Sequence, residues 1–218
     1  MTKLSVNINK IALIRNSRKG NNPSLEDFSL KIIEAGAHGI TVHPRPDQRH
    51  IRPEDLSDLS EITKKHKVEF NIEGNPYEER LDDYPGFLNL IDSINPDQCT
   101  LVPDDSSQLT SDHGWNINSE HNKLSTVLGF LRQSKIRSSI FVDPDKSQLD
   151  AAKDIGVDRV ELYTGPFAEA FIKNDEKTLS TYQEAISYAN DISLELNAGH
   201  DLNLDNLALL LSLSLIHI

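Results

Sequence analysis

The sequence predicts a parallel α/β barrel of the TIM-type (β/α)8 class, with its eighth βα unit apparently missing. Three observations predict it. Short, mostly apolar, β-branched runs alternate with segments of helical periodicity. Most of these runs start roughly 30 residues apart, the period of a βα unit. Polar and titratable residues gather where the runs end, at the face that carries function in such barrels.

In order, the strand candidates are 4–9, 39–43, 68–73, 98–102, 138–143, 159–164 and 193–197. Their apolar content fits strands buried on both faces. The step from the fifth to the sixth is short and calls for a compact helix. Ser24 opens a capping box with Asp27, and Leu25, Phe28, Ile32 and Ile33 follow on one helical face. Pro53 fits the first turn of the next helix, with Leu56, Leu59 and Ile62 as its stripe. Gly36 and Gly156 each follow a helix and precede a β-branched strand, as left-handed caps do. The stretch 104–118 is the most polar and reads as a long loop after the fourth strand. A leucine-rich segment, 207–218, starts as a helix, and nothing resembling an eighth strand follows it. One barrel domain across 1–218 is expected, with 207–218 atypical.

Composition narrows the function. With 22 Lys and Arg against 34 Asp and Glu, the formal net charge is −12. That disfavours general binding to nucleic acid or anionic membrane, so any phosphate must be met by a local basic cluster. A single cysteine, Cys99, precludes a disulfide within the chain and fits a reducing compartment; it reads as a buried small hydrophobe. The N-terminal residues show no apolar stretch of signal-peptide length, and no apolar run reaches the roughly 18 residues of a membrane span. A cytoplasmic location is expected.

The candidate chemistry sits at the predicted strand ends. Strand one ends in Asn7 and Asn9, followed by Lys10, Arg15 and Arg18. Strand two ends in His43, with Arg45, Arg49 and His50 behind it. Strand three ends in Glu73, strand six carries Glu161, and strand seven ends in Asn197-Ala198-Gly199-His200. A lone histidine of this kind is commonly structural, and a basic loop is commonly solvated. A carboxylate in an apolar strand is costly unless it is paired or used. Three acid/base groups, on strands two, three and seven, are expected at one barrel mouth. His113 and Trp115, in the long loop, fit either a lid or surface packing. His38, His66 and His121 read as solvated. Metal-ligand spacings, a Gly-x-Gly-x-x-Gly and a Walker loop are all missing from the sequence. An aldolase reading wants a Schiff-base lysine on a strand, and the predicted strand interiors carry none.

These residues resemble the pyridoxine 5'-phosphate synthase family. The likeness is carried by Val6-Asn7-Ile8-Asn9-Lys10-Ile11-Ala12 with Arg15-Asn16-Ser17-Arg18, by Gly39-Ile40-Thr41-Val42-His43-Pro44-Arg45 with Arg49-His50-Ile51, and by Asn71-Ile72-Glu73. Leu101-Val102-Pro103, Glu161-Leu162-Tyr163-Thr164-Gly165 and Asn197-Ala198-Gly199-His200 continue it, in order, to about residue 207. The resemblance implies a transferase of vitamin B6 biosynthesis. Such enzymes join 1-deoxy-D-xylulose 5-phosphate to 3-amino-2-oxopropyl phosphate, release phosphate and water, use no metal or organic cofactor, and assemble as octamers. It implies that His43, Glu73 and His200 are acid/base groups and that Glu161 stabilises the transition state. Arg45, His50 and Thr110 are implied as contacts to the deoxyxylulose phosphate, and Asn7 and Arg18 as contacts to the amino-ketone phosphate. Asn9, Lys10 and Asp201 complete the expected substrate-binding set.

The chain departs from the family's pattern in three places. Many members carry Asp-His where Asn9-Lys10 stands. A glycine commonly follows the last histidine, where this chain has Asp201. The Gly-His pair after an eighth strand is missing, since His217 follows Ile216. A truncated chain or foreign residues at 212–218 would account for this last difference. The alternative function is a barrel fragment that binds a phosphorylated ligand without turning it over.

Overall fold

A computed structural model of the chain describes residues 2–105, 108 and 111–213. They form seven strands: β1 (Ser5–Asn7), β2 (Gly39–Val42), β3 (Glu69–Gly74), β4 (Gln98–Leu101), β5 (Arg137–Val142), β6 (Arg159–Tyr163) and β7 (Glu195–Gly199). The helices between and after them are α1 (Asn9–Asn16), α2 (Leu25–Glu34), α3 (Asp55–His66), α4 (Phe87–Ile94), α5 (Ile117–Gln133), α6 (Lys146–Ile155), α7 (Gly165–Lys173), α8 (Glu176–Asp191) and α9 (Leu207–Leu213). All seven predicted strands are present, with ends displaced by a residue or two. Among the described residues there is no eighth strand. The contacts divide the chain into two compact units, one of residues 3–109 and 131–137, the other of 110–130 and 138–218 with 1–2.

In the first unit, β1 to β4 pair in parallel, with Val6 opposite Ile40, Ile40 opposite Phe70, and Ile72 opposite Cys99. Their C-terminal ends therefore share one edge. One face is apolar: Ile40, Val42, Phe70, Ile72, Cys99 and Leu101 are buried, as are Leu56, Leu59, Phe87 and Ile91 of the helices. Gly74 lets α4 approach, because a Cβ there would lie 2.2 Å from the Phe87 ring. The other face differs from the apolar strands the sequence suggested. The Ser5 and Thr41 hydroxyls are 2.7 Å apart, Asn71 Nδ2 donates to Thr41 Oγ1 at 3.3 Å, and Thr100 Oγ1 and Gln98 Nε2 donate to Asn71 Oδ1 at 3.0 and 3.2 Å. Arg137 Nε then donates to Gln98 Oε1 at 2.9 Å. A buried polar row of this kind is tolerated because its members satisfy one another.

In the second unit, β5, β6 and β7 pair in parallel, with Ile140 opposite Val160 and Val160 opposite Leu196. These side chains belong to a core with Leu149, Ala152, Phe167, Tyr182, Ile186 and Ala189 from α6, α7 and α8. The alternate face carries Arg159, which donates to Asn197 Oδ1 at 3.2 Å and Glu195 Oε2 at 2.5 Å.

Local signals hold with four corrections. Ser24 caps α2 by accepting from the Asp27 N–H at 3.0 Å, but its hydroxyl donates to Glu26, so the box closes on the neighbouring acid. Phe28 is 37% exposed, outside the stripe assigned to it. Helix α3 begins at Asp55, and Pro53 lies in the turn before it, its carbonyl accepting from Leu56 N–H. The polar loop stops at α5, and Trp115 is a buried packing residue whose N–H donates to the Phe141 carbonyl at 2.9 Å. Gly36 and Gly156 take positive φ, 101° and 74°, as expected. Cys99 is fully buried.

Candidate active site

At the C-terminal edge of β1–β4, period-two alternation puts Asn7, His43 and Glu73 on the same face as the polar row. Asn7 Oδ1 accepts from the Asn9 N–H at 2.9 Å and so starts α1. Asn9 Oδ1 accepts from the His43 N–H at 2.9 Å. That bond needs only an acceptor, so the amide at Asn9 serves where a carboxylate would. His43 and Glu73 are buried, 5% and 8% exposed. Lys10 and Arg18 are exposed, on α1 and just past its end.

The loop after β2 is held closely. Arg45 is buried and its Nη2 donates to the Asp104 carboxylate, while Nη1 donates to the Gln108 carbonyl at 2.7 Å. Arg49 Nη1 reaches the same carbonyl at 3.0 Å, and its Nε donates to Asp47 Oδ2 at 2.6 Å. The His50 ring lies edge-on to His43, centroids 6.0 Å apart. The Ile51 N–H donates to His50 Nδ1 at 3.0 Å, which assigns the proton to Nε2. Burial, with the Arg45 charge adding to it, pulls the His50 pKa down to about 4. Glu78, in the loop after β3, is pushed up to about 7 by burial, with Arg45 opposing the shift.

In the second unit, Glu161 sits on β6 with Phe141 beside it on β5 and Asn197 beside it on β7. Burial pushes its carboxyl up to about 7. A Cβ at Gly199 would lie 2.6 Å from Glu161 Oε1, so glycine makes room for that carboxyl. The His200 ring lies 4.8 Å from the Phe141 ring and 5.5 Å from the Tyr163 ring, and its Nδ1 is 3.9 Å from Glu161 Oε1. His200 and Asp201 both have positive φ, 91° and 57°. Thr164 Oγ1, 2.5 Å from the Gly199 carbonyl and 2.6 Å from that of His200, holds this turn by sharing its one hydroxyl proton between them. A left-handed residue directly after the histidine explains why glycine suits that position, and aspartate is one of the side chains that tolerates it.

The first unit thus brings together Asn7, Asn9, His43, Arg45, His50 and Glu73, and the second brings together Glu161, His200 and Asp201. Thr110, and His217 with the rest of 214–218, lie outside the described residues. Several side chains escaped the sequence reading: Asp104 behind Arg45, Thr164 under the histidine turn, and the Phe141 and Tyr163 rings beside it. Asp104 directly follows Leu-Val-Pro, and that position was the available signal. Among the described residues, no group of three or more His, Cys, Asp and Glu is arranged to hold a metal ion, and no helix is long and apolar enough to cross a membrane.

The family model described as Pyridoxal phosphate biosynthesis protein PdxJ matches residues 4–217. A pyridoxine 5'-phosphate synthase of Xanthomonas axonopodis pv. citri is 48% identical over 207 residues, covering 94% of this chain and 81% of that protein. One of Cytophaga hutchinsonii is 48% identical over 207 residues, covering 95% and 83%. Among solved structures, the thiamine phosphate pyrophosphorylase from Pyrococcus furiosus matches with a TM-score of 0.59 at 11% identity, covering 100% of this chain and 84% of that one. An HpcH/HpaI aldolase from Desulfitobacterium hafniense matches with a TM-score of 0.59 at 12% identity, covering 99% and 85%. At such identities the structural likeness concerns the fold alone, which is of the α/β, TIM-barrel type. The match across residues 4–217 and the 48% identity place the chain in the Pyridoxal phosphate biosynthesis protein PdxJ family.

Proposed function

We propose that the chain is a pyridoxine 5'-phosphate synthase, joining 1-deoxy-D-xylulose 5-phosphate to 3-amino-2-oxopropyl phosphate with release of phosphate and water. The observation that carries this reading is the 48% identity over nearly the whole chain to proteins of that name. In this reading His43, Glu73 and His200 move protons and Glu161 stabilises the transition state. Arg45, His50 and Thr110 contact the sugar phosphate. Asn7 and Arg18 contact the amino-ketone phosphate, with Asn9, Lys10 and Asp201 beside them. The unbroken family match through both compact units supports one barrel domain. A homo-oligomeric assembly, an octamer, and a cytoplasmic location belong to the same reading.

The site chemistry supports these roles. Amine attack on a ketone, dehydration, phosphate loss and ring closure all need protons moved near neutral pH. Beside His200, burial pushes the Glu161 carboxyl up to about 7, so near neutral pH its charge responds to what lies next to it, as a group that stabilises a transition state requires. A guanidinium recognises phosphate best when its plane is fixed, as Asp104 and the Gln108 carbonyl fix Arg45. The phosphate contacts are local, which suits a chain with a net charge of −12.

The test is to incubate the purified chain with both substrates and measure pyridoxine 5'-phosphate and inorganic phosphate. Equal amounts of the two are expected. Retained binding of the sugar phosphate without product would favour a non-catalytic phosphate-binding barrel instead.

A further inference from the structure

The loop 44–52 carries Arg45, Arg49 and His50, yet its backbone makes few regular hydrogen bonds of its own. Pro44 and Ile51 bridge its two ends, and the Gln48 N–H donates to the Arg45 carbonyl at 2.9 Å. Beyond the Arg45 and Arg49 contacts, a separate set of restraints comes from the end of α1. Asn16 Nδ2 faces three successive carbonyls, those of Gln48, Arg49 and His50, at 3.3, 3.1 and 2.7 Å. Arg15 Nε donates to Asn16 Oδ1 at 3.0 Å and so sets the orientation of that amide. The Arg15 fork is bidentate on Asp55, at 2.6 and 2.9 Å, and Nη2 also donates to the His50 carbonyl at 3.2 Å. Asp55 in turn accepts from the Arg52 N–H at 2.8 Å.

Arg15 is 2% exposed. Burying a guanidinium–carboxylate pair contributes little net stability, because desolvation offsets the attraction. What such a pair does supply is a fixed geometry. Here that geometry acts on one segment, the backbone of 48–52. The same segment fixes the His50 ring through the Ile51 N–H.

We propose that Arg15 and Asn16 are positioning residues that hold the 48–50 backbone so that His50 offers a neutral Nε2–H to the sugar phosphate. This rests on the reading above that His50 contacts that substrate. It adds that His50 acts as an oriented hydrogen-bond donor and not as an imidazolium. The Arg45 and Arg49 charges act against protonation of the ring, Asp47 opposes them, and the His43 ring lies edge-on.

Two readouts on the full chain test it: histidine-ring NMR, with the His50 signal assigned by its loss in His50→Gln, and calorimetry with 1-deoxy-D-xylulose 5-phosphate. In wild type His50 shows a single Nε2–H tautomer that titrates at about 4. In Asn16→Ala and Arg15→Lys the tautomers mix and the titration moves up towards the ordinary 6.5. Affinity for the sugar phosphate drops roughly tenfold, the size of one charge-assisted hydrogen bond, with the thermal midpoint nearly unchanged in Asn16→Ala. Unchanged His50 signals in both variants overturn the clamp. Changed signals with unchanged affinity overturn the positioning role. A wild-type chain that binds no sugar phosphate overturns the functional reading instead, so the failures are told apart.

Discussion

At the edge of β1–β4, charged side chains are held by charged or carbonyl partners: Arg45 by Asp104 and Gln108, Arg15 by Asp55 and His50, Arg49 by Asp47 and Gln108. At the edge of β5–β7, the titratable groups sit among aromatic rings and backbone: His200 against Phe141 and Tyr163, over a turn tied by Thr164, with Glu161 raised by burial. Proposed acid/base groups stand at both edges, His43 and Glu73 at the first and His200 at the second, and the edges differ in how they hold charge. Recognition of a phosphate needs cations whose positions are fixed before the anion arrives. Proton transfer near neutral pH needs groups whose charge is only weakly favoured. The first edge pairs its permanent charges and keeps His50 neutral, with Glu78 raised to about 7 beside them, and the second holds Glu161 at about 7 without a guanidinium partner among the described residues.

Substitutions at the proposed acid/base groups should have the largest effects and should cut across both edges. His43→Ala, Glu73→Gln and His200→Ala are each expected to lower turnover at least about a hundredfold while the circular dichroism spectrum is unchanged. Near-native turnover in any one removes that residue from the mechanism.

Next in size is Asp104→Ala. It leaves the Arg45 charge buried without its carboxylate, and the expected loss is about 3–5 kcal/mol in denaturant unfolding. A loss below about 1 kcal/mol, the range of an exposed pair, would show that the first edge does not depend on paired charge.

The second edge makes a pH prediction. Glu161 binds its proton more tightly folded than unfolded, because burial raises its pKa from 4.5 to about 7. Its contribution to stability is therefore fully present below 4.5 and lost as pH rises through 7. Glu161→Gln removes that dependence, so its stability relative to wild type should rise between pH 4.5 and 7 and level off above. A difference that is flat with pH would mean that the carboxyl is not desolvated as described.

The smallest effect is expected at Asp201→Gly. Relief of a left-handed φ of 57° should leave stability unchanged or raise it by up to about 1 kcal/mol. A clear loss would assign the Asp201 side chain a structural role.

Much of this was legible in the sequence. The seven strands follow from their β-branched runs and roughly even spacing, and the quoted motifs fall at or near their ends. The polar row Ser5, Thr41, Asn71, Gln98 and Thr100 was visible as a period of two, but apolar neighbours at alternate positions masked it. Trp115 was ambiguous because a polar loop hides a residue whose partner, Phe141, is on a later strand. The Arg15–Asp55 clamp spans forty residues, which no local pattern encodes. Asp201 stands where the family commonly has glycine, and the left-handed backbone at that position, which no local pattern announces, is what the two residues share.

The central claim is that the titratable groups at these strand ends carry the condensation. Its most direct test is the phosphate balance of a single turnover. The wild-type chain should release one inorganic phosphate for each pyridoxine 5'-phosphate formed, and His43→Ala, Glu73→Gln and His200→Ala should release neither on that timescale. Phosphate appearing at the wild-type rate from all three variants would contradict it.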